Sequence, residues 1–216
     1  SLKHYEKALH LYRETGDSNG QCQVLIYLGE VWHNSDIART LDVYQEALGL
    51  ARNAGYPKHE AASLNNLSWV YKNLGELEKG RISGEQALKI YRELEDLWGE
   101  SRSLDALGEV YNALGEQEQA LESFELALRL YREVGNHWQE GWMLIHIGGI
   151  YSDQGQREHA QKHYEKALAI GKRVGNRWVE SAALNNLGSI SQHAGQQKQA
   201  REYYERALQG TQEIKD

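Results

Sequence analysis

His159 and His163 stand four residues apart, a spacing that on a helix brings both rings to one side, as paired imidazoles need to hold a divalent metal. Beyond Glu158 no third ligand stands at a suitable distance, and the pair maps to the outer side of its helix, so these are read as surface histidines. A thiolate nucleophile at Cys22 would need a base, but His33 lies 11 residues further along the same predicted helix, out of reach. Gly171-Lys172-Arg173 lacks both the strand and the glycine spacing of a phosphate-binding loop. The sequence thus predicts no catalytic residue, no metal site and no cofactor; the chain is expected not to be an enzyme.

The elements behind these residues are helical. Of the 216 residues, 40% are hydrophobic and 25% charged, with one proline, Pro57. Ala, Leu, Glu and Gln abound, which favours helices. The net charge of −7 carries no clustered Lys and Arg, which argues against a nucleic-acid partner. One cysteine cannot form an internal disulfide, and neither a signal-like stretch nor a membrane-length apolar run occurs. The expected setting is the cytoplasm, with no membrane partner.

A fixed period organises the chain. Gly16, Gly55, Glu95, Gly135 and Gly175 occupy equivalent turns at steps of 39, 40, 40 and 40 residues, the short step placing one deletion around Asn34 to Asp36. Each period contains two amphipathic helices. The first carries Leu25, Leu28, Gly29 and Trp32, then Leu64, Leu67, Ser68 and Tyr71, then Leu104, Leu107, Gly108 and Tyr111. It returns as Leu144, Ile147, Gly148 and Tyr151, and again as Leu184, Leu187, Gly188 and Ser191. The second helix pairs an aromatic with Ala three residues on, at Tyr44, Phe124, Tyr164 and Tyr204; the second repeat has Gly84 instead. A glycine inside a helix costs about 1 kcal/mol relative to Ala. Its recurrence predicts close approach of the partner helix, with the Tyr one turn later filling the space beside it.

Leu-x-x-Leu-Gly-x-x-Tyr followed by Ala, aromatic and Ala resembles the tetratricopeptide repeat (TPR), here in an extended 40-residue form without the proline that usually ends its second helix. The resemblance implies an all-α, right-handed TPR superhelix of five helical hairpins after one leading helix. Repeats are expected at 17–54, 56–94, 96–134, 136–174 and 176–214, with residues 2–15 the second helix of a truncated repeat and the whole a single array. Similar repeats occur in kinesin light chains, polarity scaffolds and the sensor arrays of STAND-type signalling ATPases, the last being the favoured parent. Ser1 as a start and the lack of a polar capping helix before Asp216 lead to the expectation of a segment from a longer protein, with attached domains as partners.

The resemblance also implies a concave face built by the first helices, with room for a protein or peptide. By phase, it would carry Ile26, Glu30, Asn65, Trp69, Lys72, Arg102, Asp105, Glu109, Trp138, Trp142, Ile145 and Asn185. Amide side chains there can both donate to and accept from a peptide backbone. Only Lys72 and Arg102 are basic on this face, unlike the clamps that hold acidic chaperone tails, and Glu30, Asp105 and Glu109 favour a ligand with apolar and basic groups. Trp98, Trp138 and Trp178 recur at one turn every 40 residues. Two readings stand: the rings line the groove, or they fold over Leu94, Val134 and Val174 to seal the joints between repeats.

Overall fold

The computed structural model describes residues 2–33 and 35–212, the last two as backbone only. Ser1, Asn34 at the expected deletion, and residues 213–216 lie outside the described residues. Among the described residues there are eleven α-helices and no strand. They are α1 (Leu2–Thr15), α2 (Ser18–Trp32), α3 (Ile37–Ala54), α4 (Pro57–Asn73), α5 (Leu77–Glu93) and α6 (Leu97–Leu114). Then come α7 (Gln117–Glu133), α8 (His137–Asp153), α9 (Arg157–Val174), α10 (Arg177–His193) and α11 (Gln197–Gln212). The fold is all-α, in two compact units, Ser1–Ala120 and Leu121–Asp216, divided within α7. In the first unit each of α1 to α5 packs on its successor, and α4 also lies against α2 and α6; in the second, α8 to α11 pack in sequence and α10 also meets α8.

The turns follow from their side chains. Asp17, Asp36 and Asp96 accept the backbone N–H of Gly20, Arg39 and Gly99 at 3.0, 3.0 and 2.9 Å, capping α2, α3 and α6. Asn136 and Asn176 do the same for α8 and α10. The preceding helices end in left-handed residues, Gly55 at φ 71° and Gly175 at φ 67°, where a Cβ would be strained. Glu95 holds the equivalent place at φ 54°, the one non-glycine with positive φ among the described residues.

The helix glycines are notches for the aromatic of the partner helix. A Cβ built on Gly148 would lie 2.6 Å from the Tyr164 ring, one on Gly188 would lie 2.7 Å from Tyr204, and one on Gly29 would strike Tyr44. Tyr44 and Tyr164 are buried. The expected filler, the Tyr one turn later, is not what fills the space: Tyr71, Tyr111 and Tyr151 stay half exposed, and at Gly148 the second-helix ring of Tyr164 occupies it. The second repeat changes both halves together. Ser68 replaces the glycine and donates its Oγ–H to the Gly80 carbonyl at 2.8 Å, while Gly84 replaces the ring. A Cβ on Gly84 would lie 2.7 Å from the Leu107 side chain of α6, which takes the vacated volume.

A polar bond at the joint between repeats has the same period. Arg52 Nε donates to Glu60 at 2.8 Å, Arg92 to Glu100 at 2.8 Å, and Arg132 to Glu140 at 2.7 Å. Each bond ties the last turn of a second helix to the first turn of the next. A small residue follows each of these glutamates: Ala61 and Ser101 are buried, and Gly141 sits against Val179.

Candidate functional site

In the first unit the packing of α4 beside α2 and α6 leaves a cleft of about 390 Å³. From α2 it receives Gln23, Ile26, Tyr27 and Glu30; from α4, Lys58, His59 and Ala62. Tyr91 of α5, the cap residue Asp96, and Trp98 and Arg102 of α6 complete it. Successive first-helix positions four apart fall on one side of a helix, which is why Trp98 and Arg102 reach the same space. Ile26 is buried and gives the floor, whereas Tyr27 at 39% and Trp98 at 45% exposure give aromatic walls open to solvent.

Its charges are unevenly satisfied. Lys58 lies 3.5 Å from Asp96, which is also engaged as the cap of α6. His59 Nε2 is 2.8 Å from Asn19 Oδ1, and burial, with Lys58 beside it, lowers the basicity of its ring. Arg102 is half-buried, and its guanidinium donates to Asn66 Oδ1 at 3.2 Å; no carboxylate lies within ion-pair distance of it among the described residues. Glu30 is exposed at the other side, also without an ion-pair partner among them.

Further along the same helices Lys72 forms an ion pair with Glu109. Asp105 is half-buried; burial and the neighbouring Glu109 carboxylate push its carboxyl up to about 8, against the opposing pull of Arg102 and Lys72. Trp69 is covered on one face by His33, whose ring stacks on it at 3.4 Å and 18°. Burial, then Lys72, lowers the basicity of His33.

The structure therefore brings Ile26, Glu30 and Arg102 to one cleft and places Trp69, Lys72, Asp105 and Glu109 along the same two helices, α4 and α6, beyond it. Asn65 is 5% exposed with its Oδ1 unbonded, and the neighbouring Asn66 is the one that reaches Arg102. In the second unit Ile145 is buried, Trp142 is half-buried with its ring 6.4 Å from His146, and Asn185 is exposed. Trp98 belongs to the cleft, as the groove reading of its ring expects, while Tyr27, Lys58 and His59 belong to it but were outside the phase-derived set. Tyr27 and Lys58 sit one residue off that phase or in the first turn, where an ideal-helix projection is weakest.

Trp98, Trp138 and Trp178 are 45, 51 and 53% exposed, and Leu94, Val134 and Val174 beneath the proposed seals are about 40% exposed as well. The joint-sealing reading is corrected on this point: the joints hold Tyr91, 4% exposed, and the Arg–Glu bonds instead. A Cβ on Gly99 would strike the Tyr91 ring, which fills this joint. His159 is exposed and His163 half-buried, in keeping with surface histidines. Both rings lie 5.3 Å from Tyr151 of α8, and no third His, Cys, Asp or Glu joins them among the described residues.

No helix among the described residues is long and apolar enough to cross a membrane. A family profile described as tetratricopeptide repeat matches residues 70–133 and 139–213. A search of curated proteins found no match. Among solved structures, BtubC (BKLC) from P. vanneervenii is 19% identical, with 99% of this chain and 91% of that chain covered at a TM-score of 0.84. A STAND protein with a tetratricopeptide repeat sensor from Pyrococcus horikoshii is 20% identical, with 99% of this chain and 34% of that one covered at 0.79. A Rap protein complexed with Competence and Sporulation Factor is 17% identical, with 100% and 65% covered at 0.79. At these identities the likeness is one of fold.

Proposed function

Because the chain belongs to the tetratricopeptide repeat family, we propose that it is a noncatalytic recognition module that holds a protein or peptide segment against the first helices of its repeats. The observation that carries this reading is the cleft of the first unit, where apolar Ile26 and the open rings of Tyr27 and Trp98 adjoin charged side chains. Ligand sites combine an apolar lining with a few placed polar groups in this way. A partner with apolar and basic groups suits Ile26, Trp98 and Glu30, and the remaining inner positions of the set, Trp69, Asn65, Lys72, Asp105 and Glu109, would extend its track along α4 and α6. In the second unit Trp138, Trp142, Ile145 and Asn185 would serve the same purpose. The setting proposed is cytoplasmic.

The finer reading is the inducer-sensing array of a STAND-type ATPase, supported by fold similarity to such a protein, of which the matched region is 34%. Fold similarity of the same order to BtubC keeps open the alternative of a scaffold without a switching role. Selection of a random heptapeptide display library on the immobilised chain tests the common premise. Specific sequences should be enriched, and Trp98→Ala with Ile26→Asp should abolish the enrichment while far-ultraviolet circular dichroism stays helical. Enrichment that survives both substitutions, or no enrichment on the parent chain, refutes the reading.

A further inference from the structure

We propose that the occupant of the first-unit cleft is a peptide segment bearing one acidic, one basic and one apolar side chain, with its carboxylate on Arg102 and its cation on Glu30. This rests on the recognition reading above and extends it, since a ligand of apolar and basic groups alone would leave Arg102 without a counter-charge.

Three observations lead there. Arg102 is half-buried, yet among the described residues its one hydrogen-bond acceptor is the neutral Asn66 amide, at 3.2 Å. A guanidinium presents five donors, and withdrawing it from water without an anion is unfavourable. Most other charges nearby are already engaged. Lys72 is neutralised by Glu109, and Lys58 stands 3.5 Å from Asp96. Asp105, three residues on along the same helix, forms no ion pair with Arg102 among the described residues, and burial and Glu109 oppose its anionic form. Glu30 is the complementary case, an exposed carboxylate with no ion-pair partner among the described residues on the α2 wall of the same cleft. One unmatched charge of each sign, lining the same cleft as Ile26, Tyr27 and Trp98, is the complement of a segment with mixed charge and an apolar side chain. A uniformly acidic tail would meet Glu30, and a uniformly basic one would meet Arg102.

The heptapeptide selection discriminates when repeated on Arg102→Gln and Glu30→Gln in the full chain. On the parent chain the enriched peptides should carry an acidic, a basic and an apolar residue. On Arg102→Gln the acidic preference alone should disappear, and on Glu30→Gln the basic preference alone. For the best peptide, replacing its acidic residue by Gln or Asn should weaken binding to the parent chain about tenfold or more, as for a charge-assisted hydrogen bond, and leave binding to Arg102→Gln unchanged. Enriched peptides that lack the acidic residue, or that keep it on Arg102→Gln, overturn this inference while leaving peptide recognition standing. Failure of the parent chain to enrich any sequence overturns both.

Discussion

Alanine at Gly29 and alanine at Gly49 are the same chemical change inside neighbouring helices, and they should move stability in opposite directions. In both, replacing Gly removes backbone freedom and gains about 1 kcal/mol of helix propensity. At Gly49, exposed on α3, a Cβ meets nothing within 4 Å, so that gain stands alone. At Gly29 the Cβ falls among three atoms of the Tyr44 ring, which is 1% exposed and walled in by the core that includes Leu25, Leu28 and Leu67. Overpacking of this kind costs about 1–3 kcal/mol, and a ring with no free side to retreat to belongs at the upper end. The net expectation is a loss of about 2 kcal/mol for Gly29→Ala against a gain of about 1 kcal/mol for Gly49→Ala. Urea titration followed by far-ultraviolet circular dichroism reads both. The background variant Tyr44→Ala, itself costing about 3–5 kcal/mol by analogy with other large core rings, removes the obstacle; there Gly29→Ala should turn stabilising. Equal midpoints for the two alanine variants, or a Gly29→Ala loss that persists without the Tyr44 ring, would refute the notch argument.

Glu95→Gly should raise stability by about 1 kcal/mol in the same titration, because φ 54° strains a residue with a Cβ, while part of the relief is offset by the greater freedom of Gly when unfolded. Glu140→Gln should cost about 1.5–3 kcal/mol at neutral pH. Burial opposes the Glu140 charge, but the bonds from Arg132 and His137 outweigh it and hold its carboxyl below the ordinary range. Its contribution is therefore present above the unfolded value of about 4.3 and lost as pH falls, so the variant and parent should converge in acid. Asp105 behaves in the reverse sense: with its folded pKa raised to about 8, the stabilisation is complete below the unfolded value and is lost as pH rises through the folded one. Parent stability should fall by about 1 kcal/mol per pH unit between pH 5 and 7 from this residue, and Asp105→Asn should remove that slope in parallel urea titrations.

Much of the fold was legible because its determinants repeat. The Leu-x-x-Leu-Gly pattern gives the first helices, the Gly–Asp and Gly–Asn pairs give the turns, and Glu95 in the glycine row shows up as a strained cap. The partner of each glycine was misread because helix phase identifies a face without saying which ring arrives there; Tyr151 and Tyr164 are equally eligible by spacing, and the distance between the helices decides for Tyr164. The Arg–Glu bond at the joints was visible as Arg52, Arg92 and Arg132 eight residues before Glu60, Glu100 and Glu140, but eight residues across a turn correspond to no helical spacing. For the cleft, periodicity supplied Ile26, Glu30 and Arg102. It missed Tyr27 and Lys58, since which first-turn side chains bend toward a neighbour depends on the local packing of α2 against α4.

The exchange at Ser68 and Gly84 limits how the chain can be divided. A boundary set by counting periods would end the second hairpin near residue 95, yet the side chain that plugs its missing ring is Leu107, a dozen residues later. A fragment stopped at the turn would carry a hole in its own middle, and a recombinant that joined 56–94 to a different successor would inherit whatever side chain that successor brought to the site. The shortest piece able to hold this hairpin closed has to run through Leu107, so hairpin two and α6 should melt together.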